Sequence, residues 1–197
     1  MKTCAQISHS NFWSQVFFLL TVAFSTTPAQ AYIELNTFYT SEALTTDSNA
    51  TGSRMYIDGS LGFGVDKNQR YLVGWNYSMH SASDTGGSDV TYSGTQMGPR
   101  FIYVIDRSRH WTLGLSYNLV TSAKFKAGTG DEETWKGSAF KFDFGYNFPI
   151  GEDFYVGIRF NYSMASFKEK LVGTTTYSEI TYTRSGMYPS IYFFYLF

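Results

Sequence analysis

Three observations predict an all-β chain, an eight-stranded antiparallel up-and-down β-barrel that crosses a membrane. Apolar and polar residues alternate in segment after segment, turn-rich stretches separate the segments, and the composition is that of strands. The 197 residues are 19% aromatic and only 16% charged, with 18 Gly, 18 Phe and 16 Tyr. Helical domains are instead rich in Ala, Leu, Glu and Lys. A formal net charge of -1 and the lack of a Lys/Arg run give no reason to expect a nucleic-acid partner.

The first 31 residues read as a secretory signal peptide. Lys2 is its only charge, Val16 to Phe24 is an apolar core too short to span a bilayer, and Ala29-Gln30-Ala31 is a small-x-small cleavage site. The expected domains are therefore 1–31, removed on export, and a barrel over 32–197. Cys4 lies in the first part, so the barrel holds no disulfide and no cysteine-based metal site.

The first strand is expected over Tyr32 to Thr40, with Ile33, Leu35 and Tyr39 opposite Glu34, Asn36 and Thr40. Thr45 to Gly52 reads as loop. Arg54 to Val65 sets Met55, Ile57, Leu61 and Phe63 against Tyr56, Asp58, Ser60 and Gly62, and Asp66 to Gln69 turns the chain. Arg70 to about His80 places Tyr71, Val73, Trp75, Tyr77 and Met79 on one face, before the loop Ser81 to Asp89. Val90 to Ile105 carries Met97, Pro99, Phe101 and Tyr103 opposite Gln96, Gly98 and Arg100, and Asp106 to His110 turns.

Trp111 to about Ser122 shows Leu113, Leu115, Tyr117 and Leu119 against Thr112, Gly114, Ser116 and Asn118; a charged loop, Ala123 to Glu133, follows. Trp135 to Phe148 alternates most clearly, Phe140, Phe142, Phe144 and Tyr146 against Lys141, Asp143, Gly145 and Asn147. After a turn at Pro149 to Asp153, Phe154 to about Ser166 opposes Val156, Ile158, Phe160 and Tyr162 to Gly157, Arg159, Asn161 and Ser163. Lys168 to Thr176 is loop, and the eighth strand runs to Phe197. Short and long connections alternate, as in barrels with short turns on one side of a membrane and longer loops on the other.

The last stretch is G-M-Y-P-S-I-Y-F-F-Y-L-F, with Phe197, Tyr195, Phe193 and Ile191 on one face and Gly186 at its start. A final strand of this pattern resembles the assembly signal of bacterial outer-membrane β-barrels. The signal peptide, strand count and loop asymmetry extend the likeness over 32–197, to the small barrels of the OmpA/OmpX type. That resemblance implies residence in the bacterial outer membrane, insertion by the barrel-assembly machinery and contact with outer-membrane lipids including lipopolysaccharide. It further implies a role in envelope integrity, adhesion or host interaction, with a possible external ligand at the loops.

A soluble, lipocalin-like barrel would point its apolar face inward and its polar face to water. Here the polar face is mostly Gly, Ser, Asn and Thr, small enough for the inside of a tight barrel. The aromatic face is too bulky to pack inside eight strands. Trp75, Trp111 and Trp135 are read as interfacial aromatics of the membrane girdles. The polar face also bears Glu34, Asp58, Arg100, Lys141, Asp143, Arg159 and Arg184. Turned to lipid, each Arg or Lys at the midplane would cost about 2–4 kcal/mol. They are therefore expected to point inward as a mutually paired network that plugs the lumen.

Catalytic chemistry has little to stand on. His80 lies near Ser78, Ser81 and Ser83, at what reads as an outer rim within reach of lipid headgroups, and His110 is in a turn. No H-E-x-x-H, G-x-S-x-G or metal-ligand cluster is present, and no cofactor is expected. Gly59 to Gly64 resembles a phosphate loop only superficially, because it lies inside a strand and opens no helix. Three functions follow in order: a non-enzymatic structural or surface-interaction protein, a narrow porin-like channel for ions or small solutes, and a lipid-modifying enzyme using His80.

Overall fold

A computed structural model describes residues 30–43, 51–85, 89–172 and 177–197. The signal peptide, but for its last two residues, and much of the loop expected at Thr45 to Gly52 lie outside them. The described chain forms β1 (Ala31–Ala43), β2 (Thr51–Gly64), β3 (Tyr71–Thr85), β4 (Val90–Val104), β5 (Trp111–Ala127), β6 (Glu133–Pro149), β7 (Phe154–Val172) and β8 (Ser178–Leu196). Each strand pairs antiparallel with the next, and β8 returns to β1, so the sheet closes as the alternation predicts.

The strands run further toward the long-loop end than their apolar alternation does. β3 reaches Thr85, β5 reaches Ala127 and β7 reaches Val172. The segments read as loops are thus strand over Ser81–Thr85, Ala123–Ala127 and Lys168–Val172. The reason is visible on the outer face, where apolar side chains give way to hydroxyls at Ser41, Ser53, Ser81, Thr95, Ser122, Ser138, Ser166 and Ser185. The ladder continues past this ring while the apolar signal stops, because the strands have left the lipid-facing band.

Below the ring, Leu35, Leu61, Tyr77, Leu115, Phe142, Phe160 and Ile191 are all exposed outward. Their polar neighbours point in and are buried, as in Asn76, Ser116, Asp143 and Asn161. This exterior is built for lipid, since open water would leave a contiguous aromatic surface exposed. One irregularity lies on β7 between Phe167 and Glu169. A β-bulge changes the phase within β5, where the β5–β6 register shifts between Asn118 and Thr121. Leu119 and Val120 both face outward there, and inward positions switch from even to odd numbers.

The interior is layered. At the short-turn end Tyr32, Leu72, Ile102, Val104, Tyr192, Phe194 and Leu196 form an apolar floor. Gly62 makes room for it, since a Cβ there would lie 2.7 Å from the Tyr32 ring. At the long-loop end Tyr92, Ala123, Trp135, Ala139, Ala165 and Phe167 form a second apolar layer. The charged residues lie between the two.

Candidate functional site

Two connected groups of charges fill the middle of the barrel. Inward-facing positions on four strands supply the first: Glu34 from β1, Arg100 from β4, Asp143 from β6 and Arg159 from β7, all fully buried. Arg100 grips Asp143 with both terminal nitrogens, Nη1 to Oδ2 at 2.9 Å and Nη2 to Oδ1 at 3.1 Å. The same Nη2 reaches Glu34 Oε1 at 3.0 Å. Arg159 Nη1 donates to Glu34 Oε1, and its Nε lies 3.3 Å from Asp143 Oδ1. Two guanidinium groups and two carboxylates thus alternate in a ring, the planar fork matching the carboxylate geometry.

Neutral groups complete this ring. Asn36 donates to Glu34 Oε1 at 2.6 Å, and Arg100 Nη1 donates to Ser116 at 3.0 Å. The Arg159 guanidinium stacks over the Tyr192 ring, 3.9 Å from its centroid. Gly114 is needed beside it, because a Cβ there would come 2.2 Å from Asp143 Oδ1.

The second group lies on the long-loop side. Lys141 Nζ donates to Asp58 Oδ2 at 2.5 Å, and the Tyr188 hydroxyl donates to the same oxygen at 3.2 Å. His80 Nε2 stands 3.6 Å from Asp58 Oδ1. Above it, the Tyr56 and Tyr188 rings stack with centroids 3.9 Å apart, and His80 meets Tyr56 edge-on at 4.6 Å. Three acidic side chains face three basic ones across the two groups. Buried charge of this kind is tolerated only when it is paired and hydrogen-bonded.

Of the seven charges read from the sequence, the structure brings together Glu34, Asp58, Arg100, Lys141, Asp143 and Arg159. Arg184 stands apart: it is partly exposed nearer the long-loop end, with its guanidinium 3.9 Å over the Tyr92 ring. It pairs in register with Ala165, several residues beyond the ion pairs on β7. The aromatics divide three ways. Trp111 sits at the short-turn margin beside Tyr146. Trp75, paired with Leu61 and Pro99, lies in the middle of the apolar band. Trp135 is inside the barrel, 8% exposed, because it shares the odd numbering of Lys141 and Asp143.

Ile191, Phe193, Tyr195 and Phe197 all face outward, while Gly186 faces in, beneath Tyr56. Phe197 exchanges backbone hydrogen bonds with Ala31, tying the last strand to the first. His80 is not on the outer rim: it is buried in the lumen, on the opposite face from Ser81 and Ser83. Ser78 is inward as well, but it accepts a hydrogen bond from Asn76 at 2.8 Å. Tyr56, Tyr188 and Tyr192 were the site residues hardest to see beforehand. Their signal is parity, which puts these bulky rings on the same face as the Ser, Asn, Gly and charged residues.

Among the described residues no group of three or more His, Cys, Asp or Glu could hold a metal ion. The lumen cavity between Tyr56, His80, Gln96, Arg184 and Tyr188 is about 20 Å³, roughly one water.

No protein-family model matches the sequence, and no curated protein matches it significantly. Solved structures match in fold. Neisserial surface protein A, NspA, is 13% identical with a TM-score of 0.54, over 85% of this chain and 97% of that one. Ail, the attachment invasion locus protein of Yersinia pestis, is 13% identical with a TM-score of 0.41, over 87% of this chain and 100% of that one. With its closed ring, lipid-facing exterior and charged interior, the chain has the fold of a small outer-membrane β-barrel of bacteria.

Proposed function

We propose that this protein is a non-enzymatic barrel of the outer membrane, with a structural or surface-interaction role and a lumen plugged by its charge network. The observation that carries this reading is the packed interior. Guanidinium and carboxylate groups interlock at mid-height, and apolar layers close both ends. Eight strands leave an interior just wide enough for side chains, and the lumen cavity among the described residues has room for roughly one water. The partners are then outside: membrane lipids around the band, lipopolysaccharide at the long-loop margin, and a ligand at the loops. The outward aromatics of β8 support recognition by the barrel-assembly machinery during insertion.

His80 supports this reading over a lipid-acting enzyme, since its ring is packed between tyrosines and turned from the lipid. NspA, similar in fold, is named a surface protein, which agrees with a role in display. The test is conductance across a planar bilayer by the barrel chain, with folding checked by heat-modifiable gel mobility. A silent bilayer is expected. Discrete, reproducible current steps would replace the plugged barrel with the channel.

A further inference from the structure

The two short turns that bracket β3 and β4 are built to one plan. In each, an aspartate carboxylate accepts the backbone N–H of an aromatic residue five positions on, Asp66 from Tyr71 and Asp106 from Trp111, both at 2.8 Å. In each, the residue three positions after the aspartate closes the turn with its N–H on the aspartate carbonyl. That residue has a left-handed backbone: Gln69 at φ 52° and Arg109 at φ 60°. Glycine or asparagine adopts this conformation more easily. Long polar side chains stand there instead, and they meet, Arg109 Nη2 donating to Gln69 Oε1 at 2.5 Å. A strained position occupied by a bulky side chain points to a use for the side chain.

The turns line a concavity of about 560 Å³ at the rim of the barrel. Lys67, Arg70, Arg107 and Arg109 bring four positive charges to it, and Asp106 is its only acid. Both oxygens of Asp106 are taken by the N–H groups of Trp111 and His110. Arg70 is held by neutral acceptors, the Tyr103 hydroxyl at 2.7 Å and the Ile105 carbonyl at 2.6 Å. Among the described residues none of the four cations is within ion-pair distance of a carboxylate. The lumen balances its charges, whereas the lining of this hollow sets four cations against one carboxylate, with Asp66, Glu152 and Asp153 elsewhere on the same rim. The hollow opens at the mouth of the barrel, against Val104 and Tyr155 of the inner face. Arg70 reaches from it over the outward Tyr103 ring, 5.3 Å from its centroid, at the level where an aromatic girdle meets the headgroups.

We propose that this hollow binds a phosphate-bearing anion, and that the membrane supplies it as the headgroup of an anionic phospholipid in the leaflet on the short-turn side. Arg70 and Arg109 are the anchoring donors, fixed by the rigid turns, and Lys67 and Arg107 add charge from the rim. The protein reconstituted in phosphatidylcholine nanodiscs doped with phosphatidylglycerol tests this, with bound lipid counted by native mass spectrometry after extraction. The intact protein should retain phosphatidylglycerol. Arg70→Gln with Arg109→Gln should retain it about twenty-five-fold less, at roughly fivefold per basic side chain removed. Lys124→Gln with Lys126→Gln, at the opposite end, should change nothing. If the arginine pair fails to fold, the exposed pair Lys67→Gln with Arg107→Gln serves, with a loss of similar sign. Equal retention by all variants overturns the site. Displacement of phosphatidylglycerol by millimolar inorganic phosphate overturns the lipid as the source, in favour of a soluble anion.

Discussion

The ladders on the two sides of the β7–β8 hairpin are unequal. β6 and β7 pair over the full height of the barrel, from Glu133 opposite Val172 down to Pro149 opposite Tyr155. β1 and β8 pair only from Ala31 opposite Phe197 up to Thr37 opposite Ile191. Above that point each strand keeps only its other neighbour, and Pro189, which has no N–H to give, stands just past the last rung. An apolar hollow of about 320 Å³ opens there on the lipid face, lined by Phe38, Tyr39, Ile158, Pro189 and Ile191. Beside it Met187 is 80% exposed, the most exposed of the large apolar side chains among the described residues.

What closes the outer half of this seam is side-chain packing. The Phe38 ring stacks on Tyr188 with centroids 5.8 Å apart, and Tyr188 stacks on Tyr56. From inside, Glu34 of β1 bonds past β8 to Arg159 of β7 and across the lumen to Arg100 of β4. The charge ring therefore does more than fill space: it ties the weak seam to the strong side. Unpaired strand edges are costly in lipid, so a seam with a short ladder depends on such ties.

Removing the tie should have the largest effect. Glu34→Ala leaves two buried guanidinium groups around the single carboxylate of Asp143, and breaking a buried pair in this way costs about 3–5 kcal/mol. Urea titration of the refolded barrel measures it. The double variant Glu34→Gln with Arg159→Met removes charge from both sides and should lose less than Glu34→Gln alone. A double variant as unstable as the single one would show that the ion pair is not what holds the seam.

A covalent tie should act in the other direction and more modestly. Thr37 and Ile191 are register partners facing outward, so Thr37→Cys with Ile191→Cys should oxidise readily to a disulfide. Closing so long a loop stabilises by about 2–4 kcal/mol. Tyr39→Cys with Pro189→Cys lies beyond the last rung and should cross-link poorly under the same oxidant. Equal yields at both positions would mean that the ladder continues upward and that the seam is not short.

Much of this molecule was legible in its sequence, and the failures share a cause. Period-two alternation identifies strands and faces, so the inward placement of Lys141, Asp143 and Arg159 followed from residue numbers alone. The same arithmetic puts Trp135 inside, where its chemistry as a tryptophan had suggested the membrane surface. Alternation says nothing about height, so Arg184 shares a face with the network without reaching it, and Trp75 lies mid-band instead of at an interface. Strand ends above the hydroxyl ring were invisible because the outward signal had ended. The short seam was invisible because ladder length belongs to two strands at once, and Pro189 alone fits many strand edges.

The smallest effect is expected on the strong side, at Trp135, which backs the outer halves of β5, β6 and β7. Its ring packs on Phe125, Phe167 and Tyr182, with centroids 5.1, 5.6 and 4.8 Å away, and its Nε1 donates to Glu133 at 2.8 Å. Trp135→Phe keeps most of that packing and should cost about 1 kcal/mol, near a single net hydrogen bond. Glu133 lies beyond the hydroxyl ring, outside the lipid band. The hydrogen bond from Lys170 holds its carboxyl below the ordinary range, partial burial opposes this, and the Trp135 N–H adds to the lowering. A depressed carboxyl stabilises the fold above its unfolded pKa, and that contribution is lost as pH falls through the folded value. In Trp135→Phe, carboxyl NMR should find Glu133 titrating at higher pH than in the parent, yet still below an ordinary glutamate because Lys170 remains. An unchanged titration would mean that Lys170 alone sets Glu133, and an unchanged stability would mean that the long ladder needs no side-chain support where the short one does.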